Sequence, residues 1–199
     1  MNIISPSIAI QLLKEGNKRF VDGIDEPDSF QHQSSCMAND QNPYACILGC
    51  ADSRVSPEHA FDESHGHLFV TRVAGNFVTP EIIASLEYGT NVLGASVIMV
   101  LGHSNCGAIN AAIKAKSTHI EFPGHIDTIL TALNPVIEQA HDEDAKKWAR
   151  KAVERNVIHN VQLLRNAPPI LTTRIKDGVL KIIGGIYDLN TGKVEILEQ

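Results

Sequence analysis

Two short apolar runs, each followed by polar residues, constrain the fold of this chain more than any other feature. The first occupies residues 44–48, Tyr-Ala-Cys-Ile-Leu, and leads into Gly-Cys-Ala-Asp-Ser-Arg at 49–54. The second occupies residues 96–101, Ser-Val-Ile-Met-Val-Leu, and leads into Gly-His-Ser-Asn-Cys-Gly at 102–107. Apolar runs of this length indicate buried strands. Both strands should end at the same edge of one sheet, where open α/β folds bind their ligands.

Three of these polar residues, Cys50, His103 and Cys106, have side chains that bind metal ions. Two thiolates and one imidazole suit zinc, which keeps its fourth position open in catalytic sites. The spacing predicts His103 at a strand end and Cys106 in the first turn of the next helix, where the helix dipole favours a thiolate. A single buried cysteine is usually just a small apolar side chain. The two groups together, each at a strand end, predict a metal site.

A carboxylate and a guanidinium follow the first cysteine at alternate positions. Asp52 is close enough to Cys50 to reach the fourth metal position or a water molecule there. Arg54 can hold Asp52 by a bidentate pair and keep it ionised, although an ordinary loop salt bridge is the alternative. Because two thiolates cancel the charge of the metal, activity is expected to rise towards alkaline pH.

The rest of the chain alternates strands and helices, which predicts an α/β fold. We expect a mostly parallel central sheet flanked by helices, with an antiparallel C-terminal edge hairpin. The whole of residues 1–199 is predicted to form one domain with an N-terminal amphipathic helix that begins near Ser5. The predicted strands after the first apolar run are 68–73, 96–101, 179–188 and 194–197, and the predicted later helices are 79–94, 105–116, 127–139, 144–164 and 170–176.

Composition and charge exclude several classes of protein. The net charge of −6 argues against a nucleic-acid-binding surface. No apolar run reaches the roughly 18–20 residues that a membrane span needs, and no signal-peptide pattern is present. Of the cysteines outside the metal site, Cys46 is predicted in the core and Cys36 as a free thiol, which favours a reducing compartment and the cytoplasm. His65 and His67 lie in a polar loop and are predicted to be solvated rather than metal-bound.

The segments 50–54, Cys-Ala-Asp-Ser-Arg, and 103–107, His-Ser-Asn-Cys-Gly, together resemble the paired signature of the β-class carbonic anhydrases. The similarity runs from the N-terminal helix to the final hairpin. It implies one Zn²⁺ per chain and the interconversion of carbon dioxide and bicarbonate by a zinc-bound hydroxide that the Asp52–Arg54 pair orients. It also implies a homodimer or tetramer, in which the N-terminal helix packs against a partner subunit.

The resemblance further implies a substrate pocket. Gln41 would donate a hydrogen bond to bicarbonate, and Phe69 and Tyr88 would line the pocket. Without the resemblance, the sequence indicates only a loop position for Gln41 and core positions for the two aromatic residues.

Some members of the resembled family have an inactive closed state, in which the aspartate leaves its arginine and binds zinc. Members with a non-catalytic bicarbonate site have a tryptophan three residues before the first zinc cysteine. This chain has Ile47 there, although Arg72 and Tyr187 match the other two residues of that site. We therefore expect a permanently open enzyme, with Asp52 as a metal ligand only in a closed state.

Three alternatives stay open at this point. Carbon disulfide hydrolases resemble the same family and differ in access to the pocket. A zinc-stabilised protein without catalysis is a second alternative, but a closed structural site would need a fourth cysteine or histidine. In the third, Cys50 is a nucleophile and His103 its base, which leaves Cys106 without a role.

Overall fold

The computed structural model describes residues 4–24 and 41–197. Within them the chain alternates strands and helices, as the sequence predicted. The helix at Pro80–Glu87 continues directly into a π-helical turn at Tyr88–Val92. The elements in chain order are α1 (Pro6–Asp22), β1 (Ala45–Gly49), α2 (Pro57–Ala60), β2 (Leu68–Arg72), α3 (Pro80–Glu87), β3 (Val97–His103), α4 (Gly107–Thr118), α5 (Ile126–Gln139), α6 (Ala145–Arg165), α7 (Ile170–Lys176), β4 (Lys181–Tyr187) and β5 (Val194–Leu197).

The five strands form one sheet in the order β2-β1-β3-β4-β5. Strands β2, β1, β3 and β4 are parallel, and β5 pairs with β4 in the antiparallel sense. The predicted fold class is therefore confirmed. Strands β1 and β3 lie side by side with Gly49 opposite Leu101, so both runs of polar residues leave the sheet at the same edge.

Each central strand sends alternate side chains into two apolar layers. Cys46 and Leu48 of β1 pack with Val157 and Val161 of α6 on one face of the sheet. Ile47 points to the opposite face, where the core includes residues of α1. Burial on both faces explains why β1 and β3 are continuously apolar rather than alternating.

The element ends differ slightly from the sequence prediction. Helix α4 begins at Gly107, and Cys106 is its N-cap residue with extended backbone rather than a member of the first turn. The Asn105 backbone is left-handed, with φ of 54°. Because of this turn, helix α4 begins two residues later than the predicted start at residue 105.

Helix α1 packs closely onto its own chain. Its Asn17 side chain, which is buried, donates to the carbonyls of Ala60 and Gly192, both at 2.8 Å, and accepts from the Val194 N–H. Gly16 lies against the backbone of Phe61, where a Cβ atom would sit 1.8 Å from the carbonyl oxygen. The helix can approach this closely only because position 16 has no side chain.

Replacing Gly16 with alanine should therefore destabilise the protein by about 3 kcal/mol, the upper part of the usual range for overpacking. The intrinsic helix preference of alanine, worth about 1 kcal/mol, opposes this loss. Urea unfolding followed by circular dichroism measures the difference. Lys14→Ala, at an exposed position of the same helix, should change stability little. Equal stability of the Gly16→Ala variant and the parent would contradict the close packing.

No helix among the described residues is long and apolar enough to cross a membrane. Cys46 lies buried in the core, as predicted, and is a free thiol. The prediction for Cys36 concerns a residue outside the described part of the chain.

Candidate active site

The structure brings the three predicted metal ligands together. Cys50 follows β1, His103 ends β3, and Cys106 caps α4. All three are buried, and their donor atoms lie within 4.8 Å of one another. This cluster could bind a metal ion.

His103 presents one ring nitrogen for coordination. Its Nδ1 atom lies 3.0 Å from the carbonyl oxygen of Ser104, so Nδ1 carries the proton and donates. The Nε2 atom is buried without a hydrogen-bond partner. A buried nitrogen of this kind is costly unless something binds it, and the Nδ1–H bond to a carbonyl is the usual way in which proteins orient a metal-binding histidine.

The two thiols share one environment. Their Sγ atoms lie 4.0 Å apart, and the Gly75 N–H donates to Cys50 Sγ at 3.3 Å. The Cys106 thiol lowers the pKa of Cys50 well below that of an ordinary thiol, with smaller contributions from His103 and Gly75. The same contact and burial raise the pKa of Cys106. The pair thus favours one thiolate at neutral pH, and the thiolate is the form that binds a metal.

Asp52 and Arg54 form a bidentate ion pair beside this cluster. Arg54 donates from Nε to Oδ1 at 2.9 Å and from Nη2 to Oδ2 at 2.7 Å. The hydrogen bonds from Arg54 hold the pKa of Asp52 well below its usual range. Oδ2 also lies 3.9 Å from His103 Nε2. The carboxylate therefore stands next to the donor atoms while Arg54 keeps it ionised.

Arg72 organises the loop that carries Cys50 and Asp52. Its guanidinium donates to three backbone carbonyls, those of Cys50 at 2.9 Å, Asp52 at 2.7 Å and Val55 at 2.8 Å. Sequence reasoning missed this role because the contact joins segments about twenty residues apart. The only local signal was an arginine at the end of a strand.

Besides Arg72, two further positions of this chain correspond to the family's non-catalytic bicarbonate site, and both lie in the core. Ile47 and Tyr187 are both buried and belong to the same apolar layer. Ile47 is fully buried, and its aliphatic side chain has no hydrogen-bond donor where the family pattern has an indole.

The two aromatic residues predicted to bind substrate stand apart from the metal cluster within one chain. Gln41 is exposed just before β1. Phe69 pairs in register with Cys46, roughly 13 Å along the strand from Cys50. Tyr88 is 47% exposed, and its ring centroid lies 6.1 Å from that of Phe69. The aromatic pair therefore forms, but it does not touch the cluster.

The polar loop before β2 has its own network. His67 donates from Nδ1 to Glu63 at 2.9 Å, and the Tyr44 hydroxyl donates to the same carboxylate at 2.7 Å. Glu63 raises the pKa of His67. Neither His67 nor His65 belongs to a cluster of metal-donor side chains in the part of the chain that the structure describes.

Comparison with known proteins places this site in a family. Residues 45–194 match the family model described as carbonic anhydrase. Carbonic anhydrase 2 of Mycobacterium tuberculosis is 35% identical over 191 residues, which cover 95% of this chain and 91% of that protein.

Two solved structures have the same fold. The Coccomyxa β-carbonic anhydrase in complex with acetazolamide is 30% identical, with a TM-score of 0.74, and the match covers 93% of this chain and 84% of that one. A tetrameric β-carbonic anhydrase of Sordaria macrospora is 24% identical, with a TM-score of 0.75 and coverage of 97% and 98%, and shows the fold alone.

A mostly parallel sheet with a cysteine, a histidine and a second cysteine at one edge defines the class of protein as an α/β enzyme whose clustered side chains could bind a metal ion. The chain belongs to the β-class carbonic anhydrase family.

Proposed function

We propose that this protein catalyses the reversible hydration of carbon dioxide to bicarbonate and a proton with one zinc ion per chain. The observation that supports this most is the buried group of two sulfur atoms and one imidazole nitrogen beside an ionised Asp52. Two thiolates and one neutral imidazole are a donor set that zinc prefers. Zinc held there would act as a Lewis acid and lower the pKa of a water molecule at its open position.

The protein groups around that position have defined tasks. Asp52 accepts a hydrogen bond from the attacking water. This hydrogen bond turns a lone pair of the water oxygen towards the carbon of carbon dioxide. Arg54 keeps Asp52 ionised and holds it in place through two parallel hydrogen bonds. The new bond joins the water oxygen to carbon, and the proton that the water loses passes to solvent. Arg72 supports both by fixing the loop backbone.

The test is a paired measurement on the purified protein. Metal analysis should find about one zinc per chain, and stopped-flow kinetics should show rapid hydration of carbon dioxide. Carbon disulfide offered in parallel should be turned over slowly. Faster hydrolysis of carbon disulfide would favour the related substrate, and zinc without either activity would favour a non-catalytic zinc protein.

The substrate pocket requires a second subunit in this proposal. Gln41, Phe69 and Tyr88 bind the substrate, yet in one chain the two aromatic residues lie a strand length from Cys50. Tyr88 and Val92 are exposed apolar side chains suited to an interface. A homodimer or tetramer, like the tetrameric relative from Sordaria macrospora, would place a partner's aromatic residues near the cluster. Light scattering tests this assembly, and a monomeric active enzyme would contradict it.

The pH profile should follow a single ionisation. Because Arg54 lowers the pKa of Asp52, this carboxylate stays ionised from about pH 9 to about pH 6 and adds no second step. Its ion pair stabilises the fold throughout this range and is lost only in acid, as pH falls through the lowered pKa. We expect kcat/KM to decline gradually as pH falls, because the attacking hydroxide would take up one proton and become water.

Added bicarbonate should leave the shape of this profile unchanged. Arg72 is already engaged with three carbonyls, and Ile47 offers no donor for an anion. Initial rates across pH, with and without bicarbonate, measure this. A steep, cooperative fall that bicarbonate strengthens would contradict a permanently open enzyme.

The proposed location is the cytoplasm. A reducing compartment keeps Cys50 and Cys106 as thiols, which the site needs because their sulfur atoms are close to each other. We propose carbon dioxide and bicarbonate as the partners, with no nucleic acid and no membrane surface.

A further inference from the structure

Two buried asparagines on α6 form a polar network behind the metal cluster. Asn156 and Asn160 lie one helical turn apart and are 2% and 1% exposed. Their buried helix neighbours Val153, Val157 and Val161 are apolar. A buried amide is costly unless its donors and acceptor are hydrogen-bonded, so the partners of these amides reveal what they hold.

Both side chains hold the turn that follows β2. Asn156 donates from Nδ2 to the Gly75 carbonyl at 2.8 Å, and Asn160 Oδ1 accepts from the Val78 N–H at 2.7 Å. Asn160 also donates to Asn156 Oδ1 at 2.9 Å. This last bond fixes which end of the Asn156 amide faces Gly75.

The held turn contacts a metal ligand directly. Gly75 and Asn76 both have left-handed backbones, with φ of 85° and 39°. Glycine and asparagine are the residues that adopt this conformation most readily, so both suit a tight turn here. The Gly75 N–H donates to Cys50 Sγ, while its carbonyl accepts from Asn156. Asn156 thus holds the carbonyl of Gly75, and the N–H of the same residue donates to the sulfur.

We propose that Asn156 is a positioning residue for the metal site, with Asn160 as its own support. Through Gly75 it aims an N–H dipole at Cys50, which withdraws electron density from the sulfur and sets how that ligand holds zinc. Outer partners of metal ligands are typically worth 10–100-fold in metal affinity or activity. The inference rests on the proposed zinc site and assigns it a support from a helix about a hundred residues away in the sequence.

The experiment compares Asn156→Ala and Asn156→Asp with the parent protein. Aspartate has the size of asparagine and keeps the oxygen that accepts from Asn160. It lacks the N–H that donates to the Gly75 carbonyl. Asn17→Ala is the matched control, because the Asn17 side chain is also buried and also hydrogen-bonded to the backbone, but its partners belong neither to the cluster nor to the turn at Gly75. Zinc affinity by chelator competition, the thiolate-to-cobalt absorption band of the cobalt-substituted proteins and thermal unfolding are measured for all four.

Both Asn156 variants should bind zinc about 10–100-fold more weakly and shift the cobalt band. The Asn17→Ala control should lose thermal stability but keep the zinc affinity and the cobalt absorption band of the parent protein. Unchanged affinity and band in a folded Asn156 variant, or an equal loss in the control, would overturn the inference.

A measurement on the parent protein covers the case in which neither variant folds. With ¹¹³Cd in the site, the Gly75 amide proton should show scalar coupling to the metal across its hydrogen bond to Cys50. Lack of this coupling would overturn the inference while leaving the proposed function intact. A parent protein that binds no zinc would overturn both.

Discussion

The His103→Ala protein should contain almost no zinc and hydrate carbon dioxide no faster than a metal-free preparation. His103 supplies the only nitrogen donor of the cluster, and its Nε2 is buried with no other partner in the described structure. Losing a ligand should weaken zinc binding by more than the roughly 10–100-fold that an outer-shell partner is worth. Metal analysis and stopped-flow hydration, with circular dichroism as a check on folding, measure the result.

Cys50→Ala and Cys106→Ala should behave in the same way. Cys46→Ala is the matched control, since it removes a buried free thiol from β1, the strand that precedes Cys50, and Cys46 is not part of the cluster. It should retain zinc and turnover. The Cys106 variant separates the mechanisms, because a Cys50 nucleophile with His103 as base would not need Cys106. Full activity without metal would overturn the zinc proposal.

Asp52→Asn should keep zinc and lose about 10²–10⁴-fold in turnover, the usual contribution of a positioned acid–base group. The amide has the shape of the carboxylate and keeps one oxygen near the cluster. It has no charge to offer the attacking water or Arg54, so both the orienting hydrogen bond and the bidentate pair weaken. Turnover and zinc content measured on the same preparation separate loss of chemistry from loss of metal.

Asp142→Asn provides the comparison for a plain surface ion pair. Asp142 pairs with Lys151 at a distance of 2.6 Å, and neither residue belongs to the cluster. That variant should have unchanged turnover. If Asp52→Asn matched the parent protein at every pH, Asp52 would have no part in the mechanism.

The sequence by itself predicted the fold class, the three clustered side chains and the Asp52–Arg54 pair. These features depend on local order along the chain. Continuous apolar runs identify strands buried on both faces, and the residues that follow each strand must appear at its carboxyl end. Cys50 and His103 therefore come together once β1 and β3 are neighbours.

Only the tertiary structure decided which residues support that site and which predicted residues lie away from it. Arg72 donates to the carbonyl of Asp52, and Asn156 donates to that of Gly75, and each contact joins segments that are distant in the sequence. The distance of Phe69 from Cys50 depends on strand register in the same way. Strand and helix periods specify which face a side chain occupies, whereas a hydrogen bond between distant segments depends on how those faces pack.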